Sequence, residues 1–561
     1  MRDHVVPLAL LATVAFAQAS PPSDAQTQKN GSISGVVRRA GSGTPVAGAV
    51  VSVYTNSRFA NGTIFTSIAN TKEIQAVADE QGRYRLANLP ASNYRVFART
   101  PERHNSQEAS RTAKLQAGKD LSSFDLFFPA EGSISGRVLD HNKEPLRRAA
   151  VSLVYREYVG GEVAYHARRI AFTNEVGEYQ FPHVDAGVPY LLLATSGDLL
   201  RKGSDVPAEP ELRKLIPVPT YFPISTRAEG AVPLMLRPDE RREGVDVILR
   251  PAPSFCISGK AESPGQGVGR LSVGGGQISA GGNAVMPPSS FPVDADGKFK
   301  ACGLPPGDYH LMATLHKLGD REDPAKLGWD QVTITKEDIS DLHLYASPGQ
   351  AVHGRVEWAG LAPEEPTAAK VVISLWARNR DGMVQGEQPD ARAAIPGEFV
   401  VSNVFTGDYS AKAFVADASV YVQDVLYGST SVFREPFHIG SAGGADELRV
   451  ILARDGGTIA AKVADKDGNP LPDAKVVIMP AALRSEADLP DAMAVGETDQ
   501  DGNYSYGVLR PGKYLVFATT ARVDHSVESI AKLWGLSSRL EPVELGPNAQ
   551  LQLTLTPLVI E

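Results

Sequence analysis

The chain has 561 residues, too many for one core at roughly 100 to 200 residues per domain, and this predicts about three to five domains. Glycine and proline number 52 and 40, with 42% hydrophobic and 22% charged residues; this is a folded, turn-rich composition that excludes disorder, a coiled coil and a polytopic membrane protein. A net charge of −9 offers no general attraction to nucleic acid or an anionic membrane, and two cysteines can build neither a disulfide-rich scaffold nor a tetrahedral thiolate site.

At the amino terminus, Val5 to Phe16 form an apolar run preceded by Arg2 and followed by Ala17-Gln18-Ala19-Ser20. A short apolar core before a small-x-small site reads as a secretory signal peptide over residues 1–19, cleaved after Ala19, with a buried first strand or a mis-set start site as the alternatives. Residues 20–30 read as a linker. Nothing later reaches the roughly 18 consecutive apolar residues of a membrane helix. The expected protein is exported, to the periplasm, the cell surface or the medium, with no membrane span.

Five copies of one pattern follow. Each opens on a short strand: Ser32-Ile33-Ser34-Gly35-Val36-Val37, Ser133-Ile134-Ser135-Gly136-Arg137-Val138, Cys256-Ile257-Ser258-Gly259-Lys260, Ala351-Val352-His353-Gly354-Arg355-Val356 and Thr458-Ile459-Ala460-Ala461-Lys462-Val463. Only the fifth copy replaces the glycine. Between 38 and 47 residues after each anchor comes a glycine, any residue and an aromatic: Gly82 and Tyr84, Gly177 and Tyr179, Gly297 and Phe299, Gly397 and Phe399, Gly502 and Tyr504. A tyrosine follows 10 or 11 residues later: Tyr94, Tyr190, Tyr309, Tyr409, Tyr514. The copies predict domains over 31–128, 129–250, 251–346, 347–452 and 453–561. The second is longest because of a proline-rich insertion from about Ser196 to Gly244.

Within a copy, apolar residues alternate at period two, as in Ile33, Val37 and then Val51, Val53, separated by turn residues such as Gly43-Thr44-Pro45 or Asp467-Gly468-Asn469-Pro470. Closing runs alternate too: Phe124, Leu126, Phe128; Val245, Val247, Leu249; Leu551, Leu553, Leu555. About seven short strands in some 100 residues predict an all-β fold of five tandem antiparallel β-sandwiches. Leu126 to Ile134, Leu249 to Ile257 and Leu344 to Val352 are each eight residues apart, and linkers this short, carrying Pro129, Pro251, Pro253 and Pro348, leave little orientational freedom, so an elongated or gently curved row is expected. Val527, Ile530, Ala531 and Trp534 are spaced as one face of a short helix lying on the fifth sandwich.

The pattern Ile-x-Gly-x-Val, Pro-x-x-x-Ala-x-Val, Asp-x-x-Gly-x-Tyr/Phe and Leu-x-Pro-Gly-x-Tyr resembles the carboxypeptidase regulatory-like domain. The fifth copy carries it most fully, through Ile459, Val463, Pro472, Ala474, Val476, Asp499, Gly502, Tyr504, Leu509, Pro511, Gly512 and Tyr514. The second and fourth copies lack the proline of the Pro-Gly turn, with Asp185-Ala186-Gly187 and Phe405-Thr406-Gly407. The resemblance implies a transthyretin-like sandwich in a group sharing the starch-binding fold. It implies the accessory part of such enzymes, without the enzyme.

Residues able to carry chemistry are few. The two His-x-x-Glu pairs, His141 with Glu144 and His525 with Glu528, lie in a hairpin turn and a helical stretch, with no α/β catalytic domain to hold a zinc. The aspartate pairs Asp294 and Asp296, Asp499 and Asp501, and Asp465 and Asp467 lack the further ligands of a calcium loop and read as turns. No metal or cofactor is predicted. Cys256 opens the third copy and Cys302 follows its Gly-x-Phe strand. As a disulfide in an oxidising compartment they would close a loop of about 46 residues and contribute roughly 4 kcal/mol; the alternative is two buried thiols. Sugar binding would need exposed aromatics, and the candidates are Tyr221, Phe222, Trp329 in a loop, Trp358 and Trp376, which could equally cover domain junctions. The leading expectation is an exported, non-catalytic binding or structural array. A carbohydrate-binding accessory protein is second and an unrecognised hydrolase third, with a polysaccharide or a cell-surface protein as partner.

Overall fold

The computed structural model describes residues 30–55, 74–100, 109–159, 161–196, 215–263, 267–275, 289–317, 326–360, 369–378, 389–415, 417, 419–440 and 446–560. The expected signal peptide over 1–19 lies outside them. The described chain is built almost entirely of strands and forms five tandem sandwiches.

The first sandwich shows the plan. Gly31–Arg39 pairs antiparallel with Arg83–Leu89 and parallel with Asp120–Leu121 and then Leu126–Phe128. The facing sheet runs Gln75–Val77, Val50–Thr55, Ser92–Arg99, Ala109–Leu115. Period-two alternation turns Ile33, Val37, Val51, Val53, Leu86 and Val96 into one shared core, each at most 2% exposed. The second, third and fourth sandwiches repeat it around Ile134, Ile257 and Val352. In the third, the two sheets join into one continuous eight-stranded sheet through Val293 and Phe299. In the second, the described part of the insertion adds Leu234 and Leu236 to the core.

The recurring residues now have physical causes. The anchor glycine sits where the closing strand bulges inward: a Cβ on Gly35 would lie 2.1 Å from the Phe124 carbonyl oxygen, and one on Gly136 2.1 Å from that of Val245. The aromatic hydroxyl satisfies that same carbonyl, Tyr84 donating to Phe124 and Tyr179 to Val245, both at 2.6 Å. The fifth copy has no such bulge. Gly457–Val463 pairs with Gln550–Leu555 without a break in register, and Ala461 fits. The later tyrosine pins its own turn: Tyr94, Tyr309, Tyr409 and Tyr514 each donate to the carbonyl four residues back, at 2.8, 2.6, 2.7 and 2.6 Å.

The row turns back on itself at its end. The fifth sandwich packs against the second: Tyr158, at the end of Ala150–Val159, enters a cluster with Val477, Met479, Leu489, Phe517, Ile530 and Leu533. Its amide donates to the His525 carbonyl at 3.1 Å and its hydroxyl to Glu486 at 2.7 Å, while Arg156 pairs with Glu528. Lys412 of the fourth sandwich bonds Asp491 at 2.9 Å, and Arg484 pairs with Glu435. The first sandwich meets the fifth through Arg111 to Asp473 at 2.7 Å. Short linkers restrict orientation without dictating a straight course; burial of Tyr158 and its neighbours supplies the force that bends this one.

The helix Val527–Ser537 is capped by Ser526, whose hydroxyl accepts from the Ser529 amide at 3.1 Å. Its buried stripe is Ile530, Leu533 and Leu536; Ala531 is exposed and Trp534 half-buried, so the face is rotated from the one the spacing suggested. It covers its own sandwich and the second one together, because Tyr158 lies beneath it.

Candidate functional site

The turn aspartates are occupied by backbone. Asp79 Oδ1 accepts the amides of Gln81 and Arg83, Asp294 Oδ1 those of Asp296 and Lys298, and Asp499 Oδ1 those of Asp501 and Asn503, all within 2.7–3.0 Å. Hydrogen bonds from Arg83 hold the exposed Asp79 carboxyl below its ordinary range, first through its amide and then its side chain. Such an Asx turn fixes the glycine-led strand start and leaves little oxygen for a cation. Among the described residues no group of three or more His, Cys, Asp or Glu side chains gathers as a metal would require. Of the two His-x-x-Glu pairs, His141 is exposed in its turn and Glu528 is engaged by Arg156.

Cys256 and Cys302 face one another across neighbouring strands, with Cα atoms 4.1 Å apart, and are joined as a disulfide. No described cysteine is free.

None of the five aromatic candidates is an exposed ring. Tyr221 is 1% exposed beneath the insertion, packed with Val154, Leu191, Leu193 and Ala228. Burial pushes its hydroxyl well above the ordinary tyrosine range. Sugar binding needs this ring exposed, but Thr220–Tyr221 adds as a strand to Leu191–Thr195, and the ring covers that sheet's outer face. Phe222 packs on the second core. Trp329 is on the strand Lys326–Ile334, paired with Met312, and not in a loop. Trp358 ends its strand with the Arg454 guanidinium 5.0 Å over its ring. Trp376 faces away from Ile373 and Leu375 and is half-buried. It lies near a three-way junction: Arg378 donates to Glu162 of the second sandwich at 3.1 Å, and Asp488 of the fifth approaches the same hairpin at Gly161.

An aromatic pair that was not singled out lies on the outer face of the first sandwich, where Tyr54 and Phe97 stack at 4.6 Å with Arg99 5.0 Å over Phe97. Their signal was present as aromatic residues out of phase with Val53 and Val96.

A recess lies between the first and fifth sandwiches, a cleft of about 790 Å³. One wall carries Asn93, Arg95, Thr112 and Lys114; the other carries Lys462, Asn503, Ser505, Gln552 and Thr554, with Tyr504 and Tyr506 beside them. Each wall is the outward set of an alternating sheet. Gln500 fastens one end, its side-chain amide exchanging hydrogen bonds with the Lys114 backbone at 3.1 Å in both directions. The two carboxylates in the lining are engaged. Glu497 is held by Lys475 and lies 3.9 Å from Arg95, and Asp499 caps its turn. Among the described residues neither Lys114 nor Lys462 has an ion-pair partner.

Fold and cleft together define a multi-sandwich protein with a polar recess between non-adjacent domains. Residues 32–125 match the family model of the carboxypeptidase regulatory-like domain, and the described chain repeats the sandwich formed by those residues in tandem. No curated protein matches the chain. Among solved structures it is similar to the Bacillus anthracis TIE protein, at 10% identity and a TM-score of 0.15, covering 83% of this chain and 71% of that one. It is also similar to the full-length RrgB pilus protein from Streptococcus pneumoniae, at 9% identity and a TM-score of 0.15, covering 95% and 99%. A Streptococcal ancillary pilin is 11% identical, with a TM-score of 0.19, covering 57% and 100%. At that superposition these likenesses bear on neither function nor domain arrangement. No helix among the described residues is long and apolar enough to cross a membrane.

Proposed function

We propose that the protein is an exported, non-catalytic binding or structural protein whose tandem sandwiches hold one another in a fixed arrangement. The observation that carries this is Tyr158: a side chain of the second sandwich completes a core of the fifth, 9% exposed and bonded through both its amide and its hydroxyl. Domains on loose linkers bury no such residue in one another. Export is supported by the leader expected over residues 1–19 and by the disulfide of the third sandwich, which belongs to an oxidising compartment.

Small-angle scattering tests the arrangement. Tyr158→Ala removes the aromatic anchor at a cost of about 3 kcal/mol, and the radius of gyration should rise as the fifth sandwich swings free while each sandwich keeps its strand signal in circular dichroism. A wild-type profile of a fully extended row would overturn the reading, as would release of new reducing ends or amino termini from polysaccharide or protein substrates. A carbohydrate-binding accessory role is the second reading. It is favoured by the hydrogen-bonding lining of the cleft and not by the five aromatic candidates.

A further inference from the structure

We propose that the cleft between the first and fifth sandwiches binds an acidic polysaccharide, a chain whose sugar rings carry carboxylates. The inference deepens the binding-protein reading and rests on it. Three observations point to this ligand. First, the walls offer side chains rather than free backbone: Asn93 and Thr112 face Asn503, Gln552 and Thr554, so hydroxyls projecting around a sugar ring meet donors and acceptors from both sides. A volume of about 790 Å³ lies within the usual roughly 300–1,000 Å³ of ligand clefts.

Second, the charge is unbalanced in one sense. Arg95, Lys114 and Lys462 line the cleft against Glu497 and Asp499, and both carboxylates already have partners. Two exposed ammonium groups, one from each wall, are left for a carboxylate on the ligand, and charge-assisted hydrogen bonds are the strong ones. Third, a strand-adding peptide is poorly served. The Tyr504 ring fills the space beside Gly496 on the edge strand Ala494–Glu497, so close that a Cβ there would lie 2.0 Å from it.

The test is calorimetric titration of the full chain with oligogalacturonate, with maltooligosaccharide and poly-glutamate as parallel arms. Oligogalacturonate should bind, and the Lys114→Glu/Lys462→Glu double variant should bind at least about tenfold more weakly with an unchanged melting temperature, since both side chains are exposed. Raising salt from about 50 to 300 mM should weaken binding several-fold. Lack of binding to oligogalacturonate would overturn the proposal, and so would equal affinity in the double variant. Equally tight binding of poly-glutamate would reduce the site to bare charge, and equally tight binding of the neutral oligosaccharide would remove the role of the lysines; either result defeats it. In each case the compact binding-protein reading is judged separately, by scattering.

Discussion

The first and fifth sandwiches follow one strand plan and close it differently. In the first, the closing strand pairs in two short stretches, Asp120–Leu121 and Leu126–Phe128, and between them the Phe124 carbonyl presses on Gly35. In the fifth, six consecutive residues of Gln550–Leu555 pair with the opening strand, and alanine stands in place of glycine. The missing glycine is therefore the consequence of a regular closing strand and not a weakened repeat. A residue's departure from its repeat can report on a strand about 90 residues away.

The difference is broken most directly at its anchor. Gly35→Ala forces a methyl against a backbone carbonyl and also displaces the acceptor of the Tyr84 hydroxyl. Overpacking that only main chain can relieve should cost about 3 kcal/mol, read as a lowered unfolding midpoint of the first sandwich in chemical denaturation. The converse change, Ala461→Gly, meets no bulge and should cost about 1 kcal/mol, from backbone entropy and one lost methyl. Similar losses at the two sites would refute the account of the glycine.

A smaller effect isolates the hydroxyl. Tyr84→Phe keeps the ring and removes the donor, leaving the buried Phe124 carbonyl without its 2.6 Å partner. A loss of about 1–2 kcal/mol is expected from an unsatisfied buried acceptor, measured by the same denaturation.

Much of this was legible because it is local or periodic. Alternation located the strands, the repeat located the sandwiches, and glycine, aspartate and tyrosine marked turns whose hydrogen bonds close within four or five residues. Tyr158 was not legible as an anchor: in sequence it is one more aromatic in a strand, and its partners Val477, Leu489 and Ile530 lie more than 300 residues on. The cleft was hidden for a related reason. Asn93 and Arg95, and Thr112 and Lys114, read as the solvated faces of two strands, and only the return of the fifth sandwich makes those faces a wall. The burial of Tyr221 was not legible because its strand is only two residues long, too short for a period-two signal, and its pairing partner Leu193 lies nearly 30 residues earlier.

The smallest predicted effect, and the one most sensitive to pH, is a charge effect at the junction of the second and fifth sandwiches. Two carboxyls there are shifted in opposite directions. Asp185 is raised above the ordinary value, chiefly by burial, with Arg169 and Arg522 pulling the other way. Asp524 is also penalised by burial, but the Ser526 hydroxyl and the Arg522 guanidinium overcome it and hold the carboxyl low. A raised folded pKa means that ionised Asp185 opposes the folded state. Its unfavourable contribution is absent below the unfolded pKa and develops as pH rises through the folded one. Asp524 behaves conversely: its stabilisation is present above the unfolded pKa and is lost as pH falls through its own lowered value. Asp185→Asn should therefore raise the melting temperature slightly at pH 7, by an amount equivalent to about 1 kcal/mol or less. The gap to wild type should narrow towards pH 4 as the native carboxyl takes up its proton. Asp524→Asn should lower stability at pH 7, with its gap closing only at more acid pH. If both variants shift the melt in the same direction at pH 7, the opposed environments assigned to these two carboxyls are wrong. If they diverge as stated, the burial of Asp185 and the bonds of Ser526 and Arg522 to Asp524 hold in solution.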